Sequence, residues 1–364
     1  MLVPRSWQNL YIHVPFCRRK CGYCAFYSVP DGDSLMRPWL DKIKRELKAG
    51  LSGVKLHTVY IGGGTPTVLP AVLMAELLES VASLDSGATE ISIECNPETL
   101  TTEKAAVLGR YVNRVSLGIQ SFDPVFRKRI GRQGDPGKIR PAFELLQDNG
   151  LENLSCDLIY GLPGQRVSDW EKELRQALSL PIKHLSAYSL TVEEGTPLSR
   201  DFTADADSDI RSAQMDKVTR KVLKEAGLKQ YEISNYARSG FECRHNQNVW
   251  HGETYCGLGP AACSFNGKDR FTQCASVRDW LDGREPETDV ISDESRRAEM
   301  LMMGLRTVRG WRPGEFEAVA GISPETLRTD PIDSLRRKKM MKRKQIALTR
   351  RGLDFWNSAA LELL

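Results

Sequence analysis

The chain has 364 residues, 51 Lys and Arg against 47 Asp and Glu, and a formal net charge of +4, with the ordinary composition of a globular protein. That excludes fibrous, low-complexity and disordered classes, and a balance this mildly basic does not by itself demand nucleic acid. No apolar run approaches the roughly 18–20 residues of a membrane span, and no signal-peptide pattern opens the chain, so the expected setting is the cytoplasm.

Six short runs rich in β-branched residues are predicted as strands: 9–14, 57–62, 90–95, 114–120, 154–161 and 184–190. Between them, 33–50, 70–84, 101–110, 136–150 and 168–180 carry apolar residues at spacings near three and four and are predicted as helices. Ser168 and Glu171 form a capping-box pattern for the last of these, and Gly50 and Gly150 stand where two others should end. The alternation predicts an α/β fold of parallel βαβ units, either a doubly wound sheet or a partial (β/α)6 barrel. The strand runs read as apolar on both faces, as buried parallel strands should. In either arrangement ligands gather at the carboxyl ends of the strands.

After about residue 205 the pattern changes. Residues 208–228 read as one long amphipathic helix, and 231–275 form a glycine- and cysteine-rich stretch. From about 290, three or four helices and a short extended piece at 344–349 read as a small, mostly helical, winged-helix-like unit. The expected division is a core of 1–285 and a C-terminal domain of 286–364.

Nine cysteines without regular spacing argue against a disulfide framework, so clustered ones read as metal ligands or catalytic groups. Three follow the first strand as Cys17-x3-Cys21-x2-Cys24. A structural zinc site wants four ligands, and the nearest further donor, His13, falls within the strand. A [4Fe-4S] cluster normally takes four thiolates, and three leave one iron open to an outside ligand. Arg18, Arg19 and Lys20 would favour thiolates and offset cluster charge.

Polar groups end the next strands. GGGTPT (62–67) matches neither GK[ST] nor GxGxxG, but lets backbone approach a ligand closely. Glu94 closes the third strand, where a carboxylate can accept hydrogen bonds from a ribose diol. Gln120 closes the fourth, Arg132 follows twelve residues later, and Asp157 lies on the fifth. Each alone has an ordinary reading as a cap or an ion pair. Together, at successive strand ends, they read as one site.

CxxxCxxC directly after the first strand of such a barrel resembles the radical S-adenosylmethionine (SAM) superfamily. YIHVPFC, GGGTPT, SLGIQSF, RIGRQ, DLIYGLPGQ and YEISNYA resemble, more narrowly, the coproporphyrinogen III oxidase group, over roughly residues 10–360. That group contains oxygen-independent coproporphyrinogen dehydrogenases and HemW-type haem chaperones. The resemblance implies a [4Fe-4S] cluster on Cys17, Cys21 and Cys24 whose open iron is chelated by SAM. It implies Tyr11 beside SAM and the cluster, Tyr23 within the cluster loop, and Gly63, Gly64, Thr65, Glu94, Gln120, Arg132 and Asp157 lining the SAM site.

The dehydrogenases of that group have a longer N-terminal segment and a further cysteine two residues after the triplet. Here ten residues precede Tyr11, and Phe26 holds that position, which favours the chaperone branch. Residues 243–265 resemble the HNxxYW haem-binding motif, implying His245 as an iron ligand and Trp250 as an aromatic wall. Val249 stands where the motif has Tyr, and Cys263 where His is expected. The expected function is a cluster- and SAM-binding haem chaperone that delivers haem to an acceptor protein, membrane-associated acceptors included, with a reductant serving the cluster. The alternative is a coproporphyrinogen III dehydrogenase carrying out radical oxidative decarboxylation to protoporphyrinogen IX. The basic run 336–344 suggests phosphate contact, but no base-stacking aromatics accompany it, and it reads as a solvated face.

Overall fold

The computed structural model describes residues 7–30, 32–201 and 207–364. All six predicted strands form: β1 (Asn9–Val14), β2 (Thr58–Gly63), β3 (Glu90–Cys95), β4 (Arg114–Gln120), β5 (Leu154–Tyr160) and β6 (His184–Ser189). They lie side by side in chain order, each parallel to the next. A doubly wound sheet reverses its order at a switch point. Sequential order is that of a barrel wall, so the partial barrel is the arrangement adopted.

Helices α1 (Asp33–Leu51), α2 (Ala71–Ala82), α3 (Thr102–Tyr111), α4 (Pro124–Arg129), α5 (Ile139–Asp148) and α6 (Val167–Leu178) make the crossovers, and α7 (Ser208–Glu225) follows β6. Two helix ends differ from expectation. α6 is capped by Arg166 and Asp169, whose carboxylate accepts from the Arg166 backbone N–H at 3.1 Å, not by Ser168 and Glu171. α1 runs through Gly50, and Gly53 takes the left-handed conformation beyond its end (φ +75°), whereas Gly150 does so after α5 as expected (φ +82°).

The sheet is wider than predicted. β7 (Lys229–Gln230) and β8 (Asn235–Ala237) add antiparallel strands beyond β6. On the other edge β9 (Tyr255–Leu258) pairs parallel with β1, and β10 (Cys263–Phe265), β11 (Arg270–Thr272) and β12 (Glu287–Asp289) continue antiparallel. Strands this short carry too little periodicity to be read from sequence.

The expectation of two apolar faces holds for one face only. Leu10, Ile12, Val59, Ile61, Ile93, Val115, Leu117, Leu154 and Leu185 join the core beneath the helices. The alternate positions are buried and polar: Asn9, Thr58, Ser92, Arg114, Ser116, Ser155, His184 and Ser186. With a side-chain period of two these face the barrel lumen, which is therefore not a dry layered core but a hydrogen-bonded one.

Beyond residue 290 the described residues form six helical segments rather than three or four: Asp293–Gly304, Glu315–Ala320, Pro324–Leu327, Thr329–Arg337, Arg350–Asp354 and Trp356–Leu363. They enclose a second apolar cluster with Leu301, Trp311, Phe316, Ile332, Leu335 and Leu363, joined by Phe265 from β10. The extended piece at 344–349 makes only isolated bridges, Trp311 to Ile346 and Met341 to Leu348. No helix among the described residues is long and apolar enough to cross a membrane.

Candidate cluster and cofactor site

The cysteine loop leaves β1 at the carboxyl end of the barrel. Phe16, fully buried, meets the Trp39 ring edge-on at 5.8 Å and anchors the loop's first side. Gly64 N–H donates to Val14 O and Thr65 N–H to Phe16 O, both at 2.8 Å, tying the GGGTPT turn to the loop. A Cβ on Gly64 would lie 2.5 Å from Phe16 O, so this approach admits only glycine. Gly22 N–H donates to Ile130 O at 2.9 Å and fixes the opposite side.

Cys17, Cys21 and Cys24 are free, half-buried thiols. Cys17 Sγ lies 3.6 Å from Thr65 Oγ1, and Arg132 Nη1 donates to Cys21 Sγ at 3.7 Å. Burial pushes the Cys24 thiol up, against the Phe26 N–H and Lys20, which pull it down. Arg18, Arg19 and Lys20 are exposed, and the cation bonded to a thiol is the distant Arg132. Among the described residues no three His, Cys, Asp or Glu side chains converge on a single metal ion. Three soft thiols without a fourth, faced by the half-buried Arg132 guanidinium, are instead a donor set that fits a [4Fe-4S] cluster with one iron open.

A cavity of about 630 Å³ opens at these thiols and is also lined by Tyr23, Gly63, Gly64, Thr65, Glu94, Gln120, Arg132 and Asp157. The structure thus brings together every residue expected for cluster and SAM except Tyr11. Tyr11 acts one step behind the wall. Its hydroxyl lies 3.0 Å from His13 Nδ1, and His13 Nε2 lies 3.0 Å from Tyr27 O, so the pair holds the end of the cysteine loop.

Gln120 sits in the left-handed region (φ +69°), at a register shift between β4 and β5. A bulge of this kind re-aims a side chain, and a non-glycine residue held there stores strain of about 1–3 kcal/mol. Glu94 accepts from Tyr60 Oη at 3.0 Å and from Gly63 N–H at 3.1 Å. Burial nevertheless pushes its carboxyl up to about 7. Asp157 is raised by burial too, although Ser116, Ser155 and Ser186 all donate to it, Ser186 at 2.7 Å. Deeper in the lumen Arg114 is 2% exposed, and among the described residues its Nε and Nη1 have no hydrogen-bond partner. Its charge lowers the carboxyls of Glu94 and Asp157 and so moderates their burial.

The floor of this cavity comes from the segment that resembles a haem motif. Helix α8 (Arg244–Trp250) enters the amino end of the barrel, and Asn246 lines the cavity from below. Buried Glu90 receives the helix start, accepting from Arg244 N–H at 2.8 Å and His245 N–H at 3.1 Å. A carboxylate at that position satisfies open backbone donors and matches the helix dipole. His245 is 5% exposed, with Nδ1 2.8 Å from Thr58 Oγ1 and its ring 5.2 Å from Tyr60. Burial, then Arg114, pushes its imidazole down to about 3, so it is neutral. Trp250 at the far end of α8 is half-buried beneath the Arg306 guanidinium, 5.3 Å from the ring. Cys263, which stands where the motif is expected to have His, lies on β10, separated by β9 and β1 from the strand that holds His245, so the structure does not bring it to His245.

The sequence reading passed over Tyr60, Arg114, Ser116 and Ser186, all of which line the cavity. Their signal was polar residues alternating with apolar ones, as in Arg114-Val-Ser116-Leu-Gly118. The basic run 336–344 begins at the end of the helix Thr329–Arg337 and continues into the turn that follows it. Met340 and Met341 are buried there, Arg336 pairs with Glu325 at 3.2 Å, and Lys338 pairs with Glu362 at 2.8 Å.

Among known proteins, the radical SAM superfamily matches residues 11–177. The haem chaperone HemW of Lactococcus lactis is 32% identical over 96% of this chain and 95% of the relative. That of Bacillus subtilis is 31% identical over 95% and 96%, and that of Escherichia coli 34% over 88% of each. The coproporphyrinogen III oxidase HemN of Escherichia coli shares the fold, with a TM-score of 0.85 at 19% identity over 99% of this chain and 91% of its own. A polar barrel with three thiols at its mouth, matched nearly end to end by these relatives, places the chain in the radical SAM superfamily and, within it, in the HemW family.

Proposed function

We propose that the chain is a cytoplasmic haem chaperone that binds haem, holds a [4Fe-4S] cluster and SAM, and passes haem to an acceptor protein. The observation that carries this reading is the length of the match to haem chaperones. At 96% of the chain it spans both the cysteine loop and the segment at α8. Phe26 supports the same branch: it lines the cavity mouth, 69% exposed, where the dehydrogenases are expected to have a cysteine.

In this reading Cys17, Cys21 and Cys24 hold the cluster, and Arg132 balances its charge. When bound at the open iron, SAM supplies a sulfonium for one-electron reductive cleavage, with electrons from a protein reductant. Gly63 and Thr65 present the turn at the strand end, Glu94 orients a diol, and Gln120 and Asp157 close the walls. Tyr11 and His13 brace the loop. Residues 286–364 would form a separate C-terminal domain.

The test is anaerobic reconstitution of the full chain, followed by haem titration and by a coproporphyrinogen assay with SAM and reductant. A haem chaperone retains haem through gel filtration and transfers it to an apo-haemoprotein. A chain that retains no haem, but converts coproporphyrinogen to protoporphyrinogen, is a dehydrogenase.

A further inference from the structure

The floor of the lumen holds a cation for which the cofactor reading has no ligand. The lumen-facing residues of β4 are Arg114, Ser116, Gly118 and Gln120, and all four line the cavity of about 630 Å³. From Arg114 to Gln120 the strand rises about 20 Å. Gln120 stands at the thiol end, and Arg114 stands with Asn246 at the floor. Glu94 is level with Ser116 in the register, whereas Tyr60 and Ser92 share the level of Arg114. The guanidinium therefore starts one layer below the carboxylate expected at the SAM diol.

Arg114 is 2% exposed, and among the described residues its Nε and Nη1 have no hydrogen-bond partner. The nearby carboxylates are engaged elsewhere. Glu90 accepts from Arg244 N–H, His245 N–H and Ser92 Oγ. Glu94 accepts from Tyr60 and Gly63, and Asp157 from three serines. Glu90 offsets the charge of Arg114 through space, but these N–H groups stay unused. A buried guanidinium with unmade hydrogen bonds costs stability. Its planar fork matches a carboxylate. One cation beside Glu94 and Asp157 suits an anion of single charge better than a phosphate dianion.

We propose that Arg114 and the Asn246 amide bind the carboxylate of a second small molecule, held at the lumen floor while SAM takes the thiol end. The step is binding alone, and no bond forms or breaks. The proposal rests on the cofactor reading above. It gives the segment at α8 a part in a closed site for a small acid.

The experiment follows carboxyl-labelled propionate by NMR line broadening in the cluster-reconstituted full chain, with and without SAM. The Arg114→Gln, Arg114→Lys and Asn246→Ala variants are treated in the same way, and SAM binding is measured calorimetrically on every sample. Propionate should bind saturably to the SAM-loaded wild type, and propionamide at least tenfold more weakly. Arg114→Gln should weaken propionate at least tenfold. Arg114→Lys should weaken it several-fold, because an ammonium keeps the charge but lacks the fork. Asn246→Ala should also weaken it several-fold. Circular dichroism and cluster absorption check the fold of each variant, and where Arg114→Gln does not fold, the other two decide. If the folded variants bind propionate as tightly as wild type, if wild type binds none, or if SAM displaces it, the proposal is overturned while the cofactor reading stands. If the wild type does not bind SAM, the cofactor reading fails first and takes this one with it.

Discussion

The ring of Tyr60 lies 5.2 Å from that of His245, while its hydroxyl donates to Glu94 Oε1 at 3.0 Å. One side chain therefore touches both the carboxylate expected at SAM and the floor residue from the segment that resembles a haem motif. The two features that sequence reading treats as separate sites are the top and bottom of one lumen.

Replacing Tyr60 with Phe removes a hydrogen bond to a carboxylate but leaves the ring packing in place. Hydrogen bonds to charged groups contribute about 1.5–3 kcal/mol, and losing a donor to the ionised form moves the Glu94 carboxyl further above about 7. SAM affinity of Tyr60→Phe, measured calorimetrically at neutral pH, should fall at least several-fold, and the thermal midpoint should drop by a few degrees. Wild-type affinity would show that the hydroxyl does not matter to Glu94.

Glu94 also sets a pH dependence. Its folded carboxyl is raised from an ordinary 4.5 to about 7, so between those values the folded chain holds more protons than the unfolded one. Stability from this group is present at low pH, declines as pH rises through that window, and is level above it. Buried histidines act in the opposite sense, so the informative quantity is the wild type minus Glu94→Gln. That difference in urea midpoint should move against the wild type from pH 5 to pH 8. A constant difference would mean that the carboxyl is not raised.

His245 carries the opposite sign. Burial lowers its imidazole from 6.5 to about 3, so the folded chain excludes a proton that the unfolded chain binds. Its neutral form contributes stability above about 6.5, and that contribution is lost as pH falls toward 3. His245→Gln should be less stable than wild type at pH 7.5 by roughly 1–3 kcal/mol, as the loss of a buried hydrogen-bonded partner predicts. The gap should narrow at pH 5. A gap independent of pH would place the imidazole in water.

Gln120→Gly should relieve the strain at φ +69°. With 1–3 kcal/mol stored at such positions, and the extra backbone entropy of glycine against it, the net gain is about 1 kcal/mol. The same change removes a cavity-lining amide, so SAM binding should weaken as thermal stability rises. Loss of stability instead would show that the amide holds the bulge.

Serine at Cys17, Cys21 or Cys24 should each abolish the iron–sulfur absorption after anaerobic reconstitution, with the fold retained because the thiols are only half-buried. Arg132→Met should leave a cluster that forms poorly, since the cation bonded to Cys21 is gone. A normal cluster yield in Cys17→Ser would place the iron elsewhere.

The sequence by itself determined the six parallel strands, the crossover helices, the cysteine triplet and the polar residues at the strand ends. Each rests on a local signal: a run, a spacing, or a position just after a strand. Only the tertiary structure decided which way those residues face. The Thr58 contact that turns His245 into the lumen joins positions 187 apart, and the Asn9–Glu253 bond joins positions 244 apart. The parallel strand β9 and the Arg132 contact to Cys21 are likewise long-range. Local pattern records periodicity and turn chemistry, whereas burial and partner choice are settled when distant segments compete for the same lumen. That is why the cluster loop was legible in advance and the orientation of the haem-type helix was not.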